Sequence, residues 1–143
     1  MPVDPYQIRP PMAVDADRIF ELAVRLATSF SPERSHFEQA FTQLLDNDDA
    51  CMMVAGPEAG VVGYLLAFAH QTFFADGPVG WVEEIMVDDD HRRGGVGRAL
   101  MAGFETWSVE RGCRLVALAT QRAAEFYTAL GYQESATYFR KAL

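Results

Sequence analysis

Apolar positions along the chain fall into runs of two kinds. Ile19, Leu22, Ala23, Leu26 and Phe30 recur at helical spacing behind Asp15 or Asp17, either of which can serve as an N-cap. A second helical run carries Phe37, Phe41, Leu44 and Leu45, preceded by Ser35 and Glu38 in capping-box spacing and ended by the polar run 46–49. Ser31-Pro32 separates the two helices. Residues 51–55 and 61–69 are β-rich and flank a five-residue turn at 56–60, the pattern of a hairpin. Residues 71–80 contain Asp76-Gly77-Pro78 and predict a loop, or a loop with short strand ends, and 81–87 predict a strand. Val96, Leu100, Phe104 and Trp107 predict a helix capped by Gly112, and the nearly all-apolar run 115–119 predicts a strand buried on both faces. A last helix over 121–130, capped by Gly131, carries Ala123, Phe126, Tyr127 and Leu130 on one side. Short strands are expected at 6–9, before Pro10-Pro11, and at 132–134 and 137–142. The order is β-α-α-β-β-β-α-β-α-β-β, an α/β fold with a mixed twisted sheet flanked by helices.

Composition narrows the class. With 143 residues and half of them hydrophobic, the chain fits one domain over 1–143 with a core of its own. No repeat or linker divides it. The net charge of −8 disfavours a nucleic-acid partner and suits a cationic small molecule, although solubility alone would account for the same balance. Cys51 and Cys113 are isolated among apolar neighbours, which predicts buried, reduced thiols. His36, His70 and His91 have no ligand spacing, so no metal is expected. No apolar run is long enough to span a bilayer, and the start Met1-Pro2-Val3-Asp4-Pro5 lacks the basic and apolar regions of a signal peptide, so the expected location is cytoplasmic, with no membrane partner.

The stretch with the clearest chemistry is Asp88-Asp89-Asp90-His91-Arg92-Arg93-Gly94-Gly95-Val96-Gly97-Arg98-Ala99-Leu100, which joins a predicted strand to a predicted helix. Glycines allow close backbone approach, and a helix start offers unpaired N–H groups to an anion. An ordinary turn with solvated arginines would look the same in isolation. A nucleotide-triphosphate loop would need Gly-Lys-Ser/Thr where Gly97-Arg98-Ala99 stands, and the third position after Gly95-Val96-Gly97 is Leu100 rather than the glycine of a dinucleotide fingerprint.

Arg92-Arg93-Gly94-Gly95-Val96-Gly97 resembles instead the R/Q-x-x-G-x-G/A pyrophosphate loop of the GNAT acetyltransferase superfamily. Downstream, Ala123-Ala124-Glu125-Phe126-Tyr127-Thr128-Ala129-Leu130-Gly131-Tyr132 resembles that superfamily's A-x-x-F-Y-x-x-x-G-F/Y motif. Two motifs in order carry more weight than either alone, and the element order agrees over essentially the whole chain. Arg93 stands where members often have glycine, Asp89 where they often have proline, and Thr120 where many have asparagine.

The resemblance implies an enzyme using acetyl-CoA, with the pyrophosphate on the amides of Arg93, Gly94, Gly95 and Val96, helped by Arg92, Arg98 and the close approach allowed at Gly97. The pantetheine arm would pair with the strand end at Ile85, Met86 and Val87, where an amide of Met86 or Val87 could also face the developing oxyanion. An alkylamine with a pKa of about 10.4 must lose a proton before it attacks, a deficit of roughly 4 to 5 kcal/mol at pH 7. Glu83 and Glu84 are the candidate bases; strand alternation places them on opposite faces, so only one can address the site. Trp-Val-Glu-Glu-Ile-Met-Val is similar to the polyamine acetyltransferase branch, which favours Glu83. Tyr127 matches the general acid that protonates the leaving thiolate, although its spacing alone would make it a core residue. Phe30, His36, Phe73 and Phe74 are candidate acceptor-side residues. The expected reaction is acetyl transfer to a primary amine of a small cationic molecule. The alternatives are a protein or peptide N-acetyltransferase and a non-catalytic acyl-CoA-binding module. The run Tyr138-Phe139-Arg140 offers an edge through which a homodimer could form.

Overall fold

A computed structural model describes residues 6–143; the start Met1-Pro2-Val3-Asp4-Pro5 lies outside the described residues. Five strands form one sheet in the order β1 (Ile8–Arg9), β2 (Ala50–Ala55), β3 (Gly63–Thr72), β4 (Gly77–Val87) and β5 (Leu115–Leu118). The first four are antiparallel neighbours, and β5 joins β4 in parallel after the crossover helix α3 (Val96–Glu110). Helices α1 (Ala16–Leu26) and α2 (Arg34–Leu45) precede β2, and α4 (Ala124–Ala129) follows β5.

The sheet separates two apolar clusters. On one face Val96, Leu100, Met101 and Phe104 of α3 pack against Leu65, Ala67 and Val82, together with Tyr127 of α4. On the other, Ile19 and Leu22 of α1 and Phe41 of α2 meet Val54 and Tyr64. The helical spacing of α3 is therefore a true core stripe, with one change: Ser108, rather than Trp107, is fully buried at its end. Trp107 lies at the margin of the cluster beneath the Arg111 guanidinium, 4.9 Å from the ring centre.

Asp15 fixes the entry to this framework. Its side chain is fully buried and binds Arg9 through both carboxylate oxygens at 2.7 and 2.9 Å, while accepting from the amides of Met12 and Ala59. Arg9 is the largest cause holding the Asp15 carboxyl down at about 2. The expected N-cap thus became a tie between β1, α1 and the β2–β3 loop, without capping α1 by its side chain.

Other local expectations shift for identifiable reasons. Glu33, not Ser35, is the N-cap of α2, because Arg34 already lies inside the helix and pairs with Glu38. α1 ends at Leu26, which leaves Phe30 in the connection and 69% exposed. Residues 71–80 are mostly strand: β3 and β4 extend to Thr72 and Gly77, and only 73–76 turn, held by the Thr72 hydroxyl donating to the Gly77 carbonyl. Cys51 is buried, which pushes its thiol up to about 12, whereas Cys113 is only half-buried.

The largest departure is at the C-terminus. Neither 132–134 nor 137–142 forms a strand; residues 133–143 run exposed without ladder partners. β5 is consequently the sheet edge, with Leu115 partly exposed rather than buried on both faces. Among the described residues, no helix is long and apolar enough to cross a membrane.

Candidate active site

The central feature is the unequal length of β4 and β5. Their pairing runs from Val79–Leu115 to Val82–Leu118 and stops there, while β4 continues to Val87 with β3 still paired on its other side. Residues 83–87 therefore turn half of their backbone N–H and C=O groups toward an open side of the sheet. Such unpaired groups are a template for an extended ligand. Ile85, Met86 and Val87 all lie on this open stretch.

At the far end of β4 the chain turns into α3 through the glycine-arginine loop. Arg93 and Gly95 both have left-handed backbones, with φ of 68° and 87°, and the helix starts immediately afterwards at Val96. Two left-handed residues so close to a helix start give the backbone form of an anion nest. The first amides of α3 extend it, since they have no partner within the helix. Gly95 is suited to its φ; Arg93 takes the same kind of conformation at a cost of about 1 kcal/mol. Arg92 is engaged by Asp89 at 3.0 Å, whereas among the described residues Arg93 and Arg98 form no ion pair.

Two contacts hold this loop in place. Asp88 closes the end of β4: its amide donates to the Val62 carbonyl at 2.8 Å, and its carboxylate receives Arg18 of α1 at 2.8 Å and Arg25 at 3.5 Å. A hydrogen bond from the Asp90 amide, followed by that from Arg18, keeps the Asp88 carboxyl below its usual range. On the far side, Gly97 lies so close to α4 that a side-chain β-carbon there would sit 3.2 Å from the Phe126 ring. The two sequence motifs, 92–97 and 123–132, are thus in direct contact.

The two glutamates are not arranged by simple alternation. Glu84 pairs with Leu66 and Val82 with Ala67, so Glu83 is an extra residue in a bulge. Val82 belongs to the α3 side, and Glu84 faces α1 and α2, where its carboxylate accepts from the Tyr64 hydroxyl at 2.7 Å. Glu83 does not take the opposite face: its carboxylate accepts from the indole N–H of Trp81 at 3.2 Å, and Trp81 precedes Val82 and points away from α3. The bulge therefore turns both carboxylates to the α1–α2 side of the sheet, correcting the expectation that strand alternation places them on opposite faces. They differ in environment instead. Glu83 is exposed, whereas Glu84 borders an apolar cavity of about 110 Å³ lined by Phe37, Phe41, Leu44 and Met52 among others. Tyr64 itself is buried, and that burial, more than the adjoining carboxylate, raises its pKa.

Tyr127 is only 8% exposed, in the same packed cluster as Val82, Val96 and Leu100, and edge-to-face with both Phe126 and Tyr132 at 4.9 and 5.9 Å. Burial raises its pKa, so the phenol holds its proton through the neutral range. The structure thus places Tyr127 in the core, with its hydroxyl protonated. A wider, solvent-open hollow outside α4, along Ala124, Glu125 and Thr128, holds none of these groups.

The aromatics expected to line an acceptor pocket do not converge. Phe73 and Phe74 project from the β3–β4 turn, 107% and 79% exposed, and His36 is also exposed. Sequence reasoning missed the contacts of the C-terminal segment: the Tyr138 ring stacks with Trp81 at 6.5 Å, and Arg140 donates to the Ser29 hydroxyl at 2.6 Å. It also missed Tyr64 and the Arg18–Asp88 tie. Only Asp88 carried a signal, as the first acidic residue after a predicted strand.

Residues 16–132 match the Acetyltransferase (GNAT) family. The chain is 28% identical over 115 residues to an aminoglycoside N(6')-acetyltransferase type 1 from Stenotrophomonas maltophilia, covering 74% of this chain and 75% of that protein. Its fold is similar to that of a transcriptional regulator from Bacillus halodurans C-125 (TM-score 0.86, 20% identity, 96% and 99% of the two chains). It is also similar to aminoglycoside N-acetyltransferase AAC(6')-Iy in complex with CoA (TM-score 0.81, 22% identity, 96% and 95% of the two chains).

Proposed function

Since the chain belongs to the acetyltransferase (GNAT) family, and is thus an acyltransferase, we propose that it moves an acetyl group from acetyl-CoA to a primary amine of a small cationic molecule. The observation that carries this reading is the opening of β4 beyond Val82, with the left-handed loop at one end and candidate acid and base groups on its two faces. A likeness to an aminoglycoside acetyltransferase, the net charge of −8 and the acidic pair on the acceptor side support the choice of a cationic amine.

In this reading the amides of Arg93, Gly94, Gly95 and Val96 hold the pyrophosphate, with Arg93 and Arg98 adding charge-assisted bonds. Gly97 keeps the helix start close to α4. Ile85, Met86 and Val87 align the donor arm along the open edge through backbone pairing. The donor supplies an activated thioester whose acetyl group is transferred and whose sulfur leaves as a thiolate. Glu83, exposed and steadied by the Trp81 indole, takes the proton that the acceptor ammonium must lose, directly or through water, and the neutral amine then attacks the thioester carbonyl. Glu84 is already committed to Tyr64 and fixes the pocket floor. An outward amide of Met86 or Val87 faces the oxyanion. Tyr127 gives its proton to the thiolate as the carbon–sulfur bond breaks, and regains one from solvent.

Thiol release from acetyl-CoA tests this. Spermidine, kanamycin and a short unmodified peptide are offered separately. Turnover with the small amines and little with the peptide is expected. Preference for the peptide, or CoA binding without turnover across the panel, would overturn the reading.

A further inference from the structure

The C-terminal segment lies against the acceptor side without belonging to the sheet. Residues 133–143 are exposed, and among the described residues they are tied down by the Tyr138–Trp81 ring pair and the Arg140–Ser29 hydrogen bond. The first joins the segment to β4, the second to the connection between α1 and α2. The two contacts place Tyr138 and Arg140 beside the face of β4 toward which Trp81 points.

Trp81 links this crossing to the chemistry. Its indole N–H is committed to the Glu83 carboxylate at 3.2 Å, and its ring lies at 24° to that of Tyr138. Both rings remain accessible: Trp81 is only half-buried, and Tyr138 is 62% exposed. An exposed carboxylate beside two accessible aromatic rings, in a chain of net charge −8, has the chemistry that recognises an organic cation. The ring faces attract an ammonium group and pack on adjoining CH groups, while the carboxylate accepts its hydrogen bonds. A phosphate-bearing acceptor would be repelled by the carboxylate, and a neutral one would gain only the ring packing.

We propose that Trp81, Glu83 and Tyr138 form a subsite for a multiply charged organic amine, with the C-terminal segment as its outer wall and Arg140 as a positioning residue that holds the wall to Ser29. This rests on the acetyl-transfer reading and deepens it. One ammonium group would lie over the ring pair while a neighbouring amine reaches Glu83. A molecule with a single amine would fill half of the subsite.

Trp81 and Trp107 are the two tryptophans, so a Trp107→Phe background leaves Trp81 as the reporter. Its fluorescence is followed in the full chain on titration with spermidine, kanamycin, and glucose as a neutral control. A saturable change is expected with both amines and none with glucose. Tyr138→Ala should weaken the amine affinity about fivefold, with recovery in Tyr138→Phe. Arg140→Ala should weaken it less and Arg140→Lys restore it. A chain ending at Glu134 gives a second test should Tyr138→Ala misfold, and circular dichroism reports folding in each case. Absence of a saturable change with either amine, or equal affinities with and without the Tyr138 ring, would overturn the proposal. Parallel thiol-release assays separate the two readings. Tyr138-dependent binding without turnover would leave the subsite standing and remove acetyl transfer. Turnover with a KM independent of Tyr138 would do the reverse.

Discussion

Where the donor is proposed to bind, the protein presents backbone: the left-handed turn at Arg93 and Gly95, the start of α3, and the open edge of β4. Where the acceptor would lie it presents side chains gathered from distant places: Ser29, Tyr64, Glu83 and Tyr138. The two regions share β4 and little else. A backbone site depends on conformations that a few consecutive residues dictate. A side-chain site depends on which remote segments the fold brings together. Substitutions should therefore separate the two regions.

The largest effect is expected from Tyr127→Phe. Loss of a positioned acid should lower kcat about 100-fold while leaving the KM for acetyl-CoA and the amine affinity nearly unchanged. Burial holds the phenol above its ordinary value of 10.0, so kcat in the native enzyme should show no alkaline decline from this group below that pH. An intact kcat in Tyr127→Phe would return this residue to the core alone.

Gly97→Leu sharpens the contrast from the donor side. The new side chain must displace Phe126 or move the helix start, at a cost of about 1 to 3 kcal/mol. Calorimetry should show CoA binding weakened by about tenfold or more, with the Trp81 response to amines unaffected. Glu83→Gln and Glu84→Gln form the acceptor-side counterpart. The first should lower kcat by about tenfold to 100-fold. The second should lower stability by about 1 kcal/mol through its bond to Tyr64, with a smaller change in kcat. A reversed order would reassign the base.

Asp15→Asn should leave both regions intact and affect stability alone, by about 3 kcal/mol, because Arg9 loses its partner in a buried pair. The pH dependence has a definite sign. The folded carboxyl lies near 2 against an ordinary 3.8, so the stabilisation is complete above the higher value and is lost as pH falls toward the lower. Denaturant midpoints between pH 5 and 2.5 should fall more steeply in the native protein than in Asp15→Asn.

This contrast also explains what the sequence disclosed. The helical stripe of α3, the strand-to-helix turn at 92–97 and the packing side of Tyr127 were legible because each is set by residues about a turn apart. The Glu83 bulge was not, because it arises from register against β3 at Leu66 and Ala67. The C-terminal run has strand-like residues, yet Tyr138 finds Trp81 rather than a ladder partner, and no local pattern encodes that choice. Asp15 was legible as a helix-start residue; its link to Arg9 and Ala59 was not, since it depends on how β1 and the β2–β3 loop converge.

The central claim is that backbone, along β4 and around the loop, receives the acetyl donor. Hydrogen exchange of the native protein with and without acetyl-CoA measures this directly. Slowed exchange is expected at amides within 83–87 and 93–98, with residues 133–143 unchanged. Unaltered exchange in both stretches under saturating acetyl-CoA, or protection confined to another part of the chain, would contradict the claim.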